Sequence, residues 1–224
     1  MYRNELKFFV NTYQKNLMAN KLANICQRDS FSDADGGYLV SSLYFDDYSN
    51  SAFYDKLNGV KDRKKFRLRI YNRQPDVIKL ERKVKRAYAS EKSHLQVSKS
   101  EYEALIRGDV SFLRQKDDPV ANDFFLTYRT KNLHPTVTSE YRREAFIYKY
   151  GDVRICFDYF LKAGAFRKGL FSNEHMISAI PHDQIILEVK YTGYFPDVIR
   201  SIIQVHNLQW QSNSKYAKCF VVGR

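Results

Sequence analysis

Residues 64–86 read KKFRLRIYNRQPDVIKLERKVKR, ten basic side chains in twenty-three. Side chains alternate across a β-strand, so each half of this stretch divides into two faces. In the first half, Phe66, Leu68 and Ile70 share one face, and Lys65, Arg67 and Arg69 share the other. In the second, Ile78, Leu80 and Val84 oppose Lys79, Glu81, Lys83 and Lys85, with Arg82 falling on the apolar side. Gln74-Pro75-Asp76 between them predicts a turn, and the whole predicts a β-hairpin with one apolar and one charged face.

The same division recurs in ELKFFV, where Leu6, Phe8 and Val10 oppose Glu5 and Lys7. It recurs again in IILEVKY, where Ile185, Leu187, Val189 and Tyr191 oppose Glu188 and Lys190. In an ordinary antiparallel sheet the polar face meets water, and charged residues there are usually mixed with Thr, Ser and Gln. Here the polar positions are almost all Arg, Lys and Glu. These faces suit an inverted barrel, with apolar faces outward under helices and charged faces lining a central tunnel. Unpaired buried charges cost several kcal/mol each, so such a tunnel requires water, metal or an anion. Oligophosphate meets the requirement: arginine forks and lysine ammoniums bind its oxygens, and carboxylates can hold a divalent cation. Glu5, Glu81 and Glu188 are the residues that point to metal.

The rest of the chain is strand-rich with helices at intervals. Residues 14–26 have helical spacing; YLVSSLYFD reads as a strand; SNSAFYDKLNG reads as a short helix capped by Ser49 or Asn50 and stopped by Gly59. Ser100 and Glu103 form a capping signature for a helix ending near Gly108, and a second helix is expected over 119–132. TVTSEYRREAFIY, DVRICFDYF and QIILEVKY predict three more strands, and Pro196 opens a helix to about His206. This order favours an α+β fold, an antiparallel β-barrel forming a charged central tunnel with helices packed outside, as a single domain over residues 1–224.

Composition is consistent with that. The 224 residues are 44% hydrophobic and 15% aromatic, which is enough for a core and excludes bulk disorder. The net charge of +12 favours a polyanionic partner. Because Glu shares the basic faces, nucleic acid is the poorer candidate. Cys26, Cys156 and Cys219 are odd in number and widely spaced, which predicts reduced thiols and a cytoplasmic protein. No stretch has the apolar length of a membrane span. His134, His175, His182 and His206 lack ligand spacing. Asp46 and Asp47 fit a cation site or a strand-end turn equally well. Gly36-Gly37 is not followed by G-K-[ST], so it is no P-loop.

SLYFD, RLRIY, LERK, EKS, EYRREAF, VRICFD, ILEVKY and SKY, in that order, resemble the VTC domain of polyphosphate polymerases in the triphosphate tunnel metalloenzyme superfamily, also called CYTH-like. The resemblance covers roughly residues 3–220. It implies transfer of the γ-phosphoryl group of ATP to a growing inorganic polyphosphate, assisted by manganese or magnesium (Mn2+ or Mg2+). Carried over residue by residue, it implies that phosphate is bound by Lys7, Arg67, Arg69, Lys83, Lys92, Arg143, Arg154, Lys190 and Lys215, and metal by Glu188. Glu5 is a second candidate metal ligand. Tyr141 is a candidate for substrate contact, although packing explains it more simply. Lys92 and Lys215 lie outside clear strands and are expected in segments that close on substrate. Superfamily members that hydrolyse triphosphates typically begin E-x-E-x-K, whereas this chain has Arg3, Glu5 and Lys7. The lost carboxylate removes a ligand for a second metal and makes simple hydrolysis the second reading; a non-catalytic polyphosphate sensor is the third. Any coupling to a membrane would come through a separate partner, at the inner face of the membrane.

Overall fold

The computed structural model describes residues 3–87, 89–165, 169–172, 176–204 and 208–223. In chain order, the first elements are β1 (Arg3–Val10), α1 (Thr12–Ala23), β2 (Gln27–Arg28), β3 (Tyr38–Asp46), α2 (Ser51–Leu57), β4 (Arg63–Tyr71), β5 (Gln74–Arg86) and β6 (Ala89–Val97). Next come α3 (Lys99–Arg107), a 3-10 turn (Ser111–Gln115), α4 (Pro119–Lys131), β7 (His134–Tyr148) and β8 (Val153–Ala165). The last are β9 (Ile177–Ser178), β10 (Ile185–Thr192), α5 (Asp197–Gln204) and α6 (Lys215–Val222). The fold is α+β, built of antiparallel strands and helices. The chain divides into two compact units, each described in turn.

One unit comprises Val40–Glu140, Lys162–Ala179 and Lys215–Arg224. Its strands run β7-β3-β4-β5-β6, and β4 and β5 form the expected hairpin. The turn is not at Gln74-Pro75-Asp76 but at Asn72-Arg73, because Tyr71 already pairs with Gln74. Both turn residues have positive φ, 49° and 54°, which gives the turn a twist that matches the strands it joins. Arg73 is anchored there by two hydrogen bonds to Glu140, at 3.0 and 2.6 Å.

The apolar face of the hairpin meets α3, α4 and the 3-10 turn. Phe66, Leu68, Ile70, Ile78 and Leu80 pack with Leu105, Leu113, Val120 and Phe124 in one core. Arg82, which alternation puts on the apolar side, sits at the margin of this face. There it donates to Asp123 of α4 at 3.0 Å and to Ser93 at 3.2 Å. The cap of α3 is Ser98 with Glu101, not Ser100 with Glu103: SKSEYE contains the S-x-x-E spacing twice, and only Ser98 has the extended backbone of a cap. Neither Ser49 nor the side chain of Asn50 caps α2. Asp46 accepts from Ala52 and Phe53, and Asp47 from Ser51, through backbone N–H groups at 2.9–3.1 Å.

The other unit comprises Met1–Leu39, Tyr141–Leu161 and Ile180–Ser214, with strands in the order β1-β10-β8-β7 and β2 on β7. Asn11 and Gln14 cap α1 reciprocally. Met18 and Leu22 of α1 and Ile199, Ile202 and Ile203 of α5 cover Val153, Ile155, Phe157, Leu187 and Val189. Here too the helices take the apolar face of the strands. The expected end of α5 near His206 lies outside the described residues, as does His175.

Candidate functional site

The face of β3–β6 opposite the helices carries Ser42 and Tyr44 (β3), Lys65, Arg67 and Arg69 (β4), Lys79, Glu81 and Lys83 (β5), and Lys92 (β6). Register aligns them in rows. Tyr44, Arg67 and Glu81 are cross-strand neighbours, as are Ser42, Arg69 and Lys79. Lys65, Lys83 and Lys92 form a third row, each directly opposite the next. Like charges placed directly opposite one another destabilise a sheet.

Glu81 is the anion at the centre, 3% exposed. It accepts from Arg67 at 2.7 Å and Lys92 at 2.7 Å, and lies 3.8 Å from Arg69. Burial by itself raises its pKa, but the charges of Arg67, Arg69 and Lys92 outweigh burial and hold the carboxyl well below its usual range. Desolvation, followed by Arg67 and Arg69, pushes Lys92 below the ordinary ammonium range against the pull of Glu81. Because its side chain is 47% exposed, water moderates that shift. Arg69 also donates to Ser42 at 3.1 Å, and Arg67 to the Tyr44 hydroxyl at 3.2 Å. Lys92 is therefore a strand residue, contrary to the expectation of a mobile segment; AYASEKSHLQV has too few apolar positions for alternation to reveal β6.

Lys215 is the first residue of α6. That helix is docked by Tyr216, whose hydroxyl donates to Asp46 and whose ring lies 4.8 Å from that of Tyr44. Asp46 and Asp47 are thus occupied by helix N–H groups and a phenol, which decides for the strand-end reading over a cation site. His134 stacks on Tyr48 with centroids 4.6 Å apart, and His182 lies 6.1 Å from Phe160.

On the other unit, the face opposite α1 and α5 carries Glu5 and Lys7 (β1), Glu188 and Lys190 (β10), Arg154 and Asp158 (β8), and Tyr141 and Arg143 (β7). Glu5 pairs in register with Lys190, and Lys7 with Glu188, so opposite charges face each other across the strands. Arg143 donates twice to Asp158, at 2.6 and 2.8 Å, with the carboxylate wholly buried. Its guanidinium lies 3.9 Å from Glu188 and 5.4 Å over the Tyr141 ring. Tyr141 is 1% exposed, in line with packing beneath Arg143. Arg154 pairs with Asp29 at 2.6 Å and donates to Tyr38 at 2.9 Å. Lys7 pairs with Glu5 at 3.0 Å, and Lys190 pairs with Glu188.

The structure thus groups Arg67, Arg69, Lys83 and Lys92 on one face, and Glu5, Lys7, Tyr141, Arg143, Arg154, Glu188 and Lys190 on another. Sequence reading missed Asp158, although alternation from Arg154 in VRICFD places it on the charged face. It also gave Glu81 to metal, whereas the structure surrounds it with three cations.

Among the described residues, no group of three or more His, Cys, Asp or Glu is arranged to hold a metal. Glu188 nevertheless supplies hard carboxylate oxygens of the kind magnesium and manganese prefer, whereas both oxygens of Asp158 are taken by Arg143. Magnesium is commonly bound through one or two carboxylates together with substrate phosphates, not in an all-protein cage. Glu188, engaged by Lys190 and 3.9 Å from Arg143, is compatible with a cation that arrives bound to phosphate.

The sequence pattern of the VTC domain family matches residues 2–222. No curated protein matches significantly. Among solved structures, an adenylyl cyclase-named protein from Hippeastrum, described as having a dominant triphosphatase activity, aligns with TM-score 0.59 at 10% identity, over 100% of this chain and 97% of its own. A protein from Bacillus halodurans named for adenylate cyclase aligns with TM-score 0.54 at 12% identity, covering 96% of each chain. These likenesses show a shared α+β fold.

Proposed function

Because the chain belongs to the VTC domain family, we propose that it is a polyphosphate polymerase, a single module over residues 1–224 that transfers the γ-phosphoryl group of ATP to inorganic polyphosphate. The observation that carries this reading is the row of Lys65, Lys83 and Lys92 beside Arg67 and Arg69. A like-charge row on a folded sheet is relieved by a polyanion with repeated, closely spaced charges, which is what a phosphate chain supplies.

In this proposal Arg67, Arg69, Lys83, Arg143 and Arg154 neutralise and align the reacting phosphates, and Lys7, Lys92, Lys190 and Lys215 hold the remaining chain. Tyr141 supports Arg143 from below. Asp158 fixes the fork of Arg143, so its free N–H groups are presented without reorganisation when charge develops. An oxygen of the terminal acceptor phosphate attacks Pγ; the bond from Pγ to the β-bridging oxygen breaks, and ADP leaves with the electron pair. The attacking oxygen is already anionic at neutral pH, so no general base is required. A divalent cation at Glu188, with Glu5 nearby, would supply charge neutralisation on the bridging oxygens.

Triphosphate hydrolysis is the second reading. It is favoured by the triphosphatase activity ascribed to the Hippeastrum relative and disfavoured by Arg3 at the first position of the expected E-x-E-x-K. Incubation with ATP and manganese or magnesium, with and without a short polyphosphate primer, separates them. Long-chain polyphosphate on a gel, together with ADP, is the expected result. Orthophosphate without polymer under every condition would replace polymerase by hydrolase, and tight binding of tripolyphosphate with neither product would leave a sensor. Soluble ATP and polyphosphate are the proposed partners, with no nucleic acid and any membrane contact made through another protein; among the described residues no helix is long and apolar enough to cross a membrane.

A further inference from the structure

Glu81 occupies the position a phosphate oxygen would take. It lies in mid-strand on β5, and one of its oxygens accepts from both Nε and a terminal nitrogen of Arg67, at 2.7 and 2.6 Å, while lying 3.8 Å from Arg69. The other accepts from the Lys92 ammonium at 2.7 Å. Three cations assigned to phosphate therefore converge on one buried carboxylate, with two nitrogens of Arg67 sharing a single oxygen of it.

We propose that Glu81 is a resident competitor for phosphate. With no ligand bound it holds Arg67, Arg69 and Lys92 in place against their mutual repulsion. With ligand present it competes for the same N–H groups, so this face grips a phosphate chain loosely enough to pass it along. A site through which a charged chain moves has to bind well enough to admit it and weakly enough to release it. One fixed anion among Lys65, Arg67, Arg69, Lys83 and Lys92 serves both needs: it pre-organises the donors and lowers the positive potential. A metal at Glu81 would have to displace three cations, whereas a phosphate that displaces the carboxylate finds its donors already aimed. This role rests on the phosphate-binding part of the proposed function and not on polymerase chemistry.

A structural ion pair and a competitor give opposite results when the charge is removed. Losing a structural pair loosens the donors and weakens binding; losing a competitor strengthens it. The probe is sodium tripolyphosphate, titrated calorimetrically into wild-type protein and Glu81→Gln without nucleotide. The glutamine is expected to bind about tenfold more tightly or better, a fold-change well within that of one charge a few ångströms away after screening. The slope of log Kd against log salt should steepen by about one. In turnover assays, kcat and KM should fall together as release slows, which a merely destabilised fold would not produce. If Glu81→Gln fails to fold, Glu81→Asp keeps the charge and draws it back by one methylene; a Kd lower than wild type supports the competitor. Wild-type binding with an unchanged or higher Kd in the variant that folds overturns it. Absence of tripolyphosphate binding by wild-type protein overturns this role and the phosphate-binding reading together.

Discussion

Removing the carboxylate of Asp158 would leave the Arg143 guanidinium, itself 8% exposed, without its principal counter-ion. Burial favours the neutral form of Arg143 and the charge of Asp158 opposes it; because a guanidinium is effectively always protonated, losing Asp158 strands the cation and does not discharge it. Breaking a buried pair by deleting one partner costs about 3–5 kcal/mol. Asp158→Ala belongs in that range, because the nearest other anion, Glu188, is 3.9 Å from Arg143 and already engages Lys190. Asp158→Asn keeps an acceptor for one of the two hydrogen bonds and should cost about 1 kcal/mol less. Against a total stability of about 5–15 kcal/mol the loss is large. In urea it lowers the midpoint by about 1–2 M at an m-value near 3 kcal/mol/M. Replacing both partners, as Arg143→Met/Asp158→Leu, should bring stability back to within about 2 kcal/mol of wild type while tripolyphosphate affinity stays lost. A loss below 1 kcal/mol in Asp158→Ala, with unchanged midpoint, would refute the claim that this pair is desolvated and mutually dependent.

Acid should act through Glu81 and Asp123. Burial raises each carboxyl, but neighbouring cations more than offset it and hold both below their ordinary range. Such groups stabilise the fold above an unfolded pKa of about 4 and lose that contribution as pH falls toward the folded value; thermal melts should be flat from pH 7 to 5 and drop steeply below about pH 4, less so in Glu81→Gln. Desolvation raises the Cys26 thiol to about 11 and that of Cys219 to about 12, so alkylation of these two followed by mass spectrometry at pH 8 should be far slower than for a free thiol, and rapid labelling would contradict their burial. Asn72→Ala places a Cβ-bearing residue at φ 49° without asparagine's tolerance of that region and should cost about 1 kcal/mol, read as a shift in urea midpoint without loss of tripolyphosphate binding.

Alternation was enough to separate Lys65, Arg67, Arg69, Glu81 and Lys83 from Phe66, Leu68, Ile70, Ile78 and Leu80, because strand periodicity is strict and Lys64 and Arg82, polar residues on the apolar face of the two strands, sit at its margin and reach Asp123. The helices that cover that face were legible as spacing and caps, within one S-x-x-E repeat at α3. β6 was not legible: on the face it shares with Leu95 and Val97, Glu91 and Ser93 interrupt the apolar stripe, and the strand exists because β5 provides a ladder for it. The turn was misplaced because Pro75 is a stronger local signal than Asn72-Arg73, and the Glu140 carboxylate that holds Arg73 is distant in sequence. Asp158 and Glu81 show the same limit at the site. Alternation assigns each a face, but which cation each engages is decided by residues 14 or 15 positions away in sequence, such as Arg67 for Glu81 and Arg143 for Asp158.

If the row of Lys65, Lys83 and Lys92 binds phosphate as proposed, the stability of this protein depends on the solution it is stored in. Any anion that seats on the folded row and not on the unfolded chain raises the melting temperature by mass action, by about 2.7 kcal/mol of stability at a hundred times its dissociation constant. A melt recorded in a phosphate buffer and one recorded in a zwitterionic buffer therefore describe different equilibria, and comparisons between variants of the row hold only when the anion is fixed.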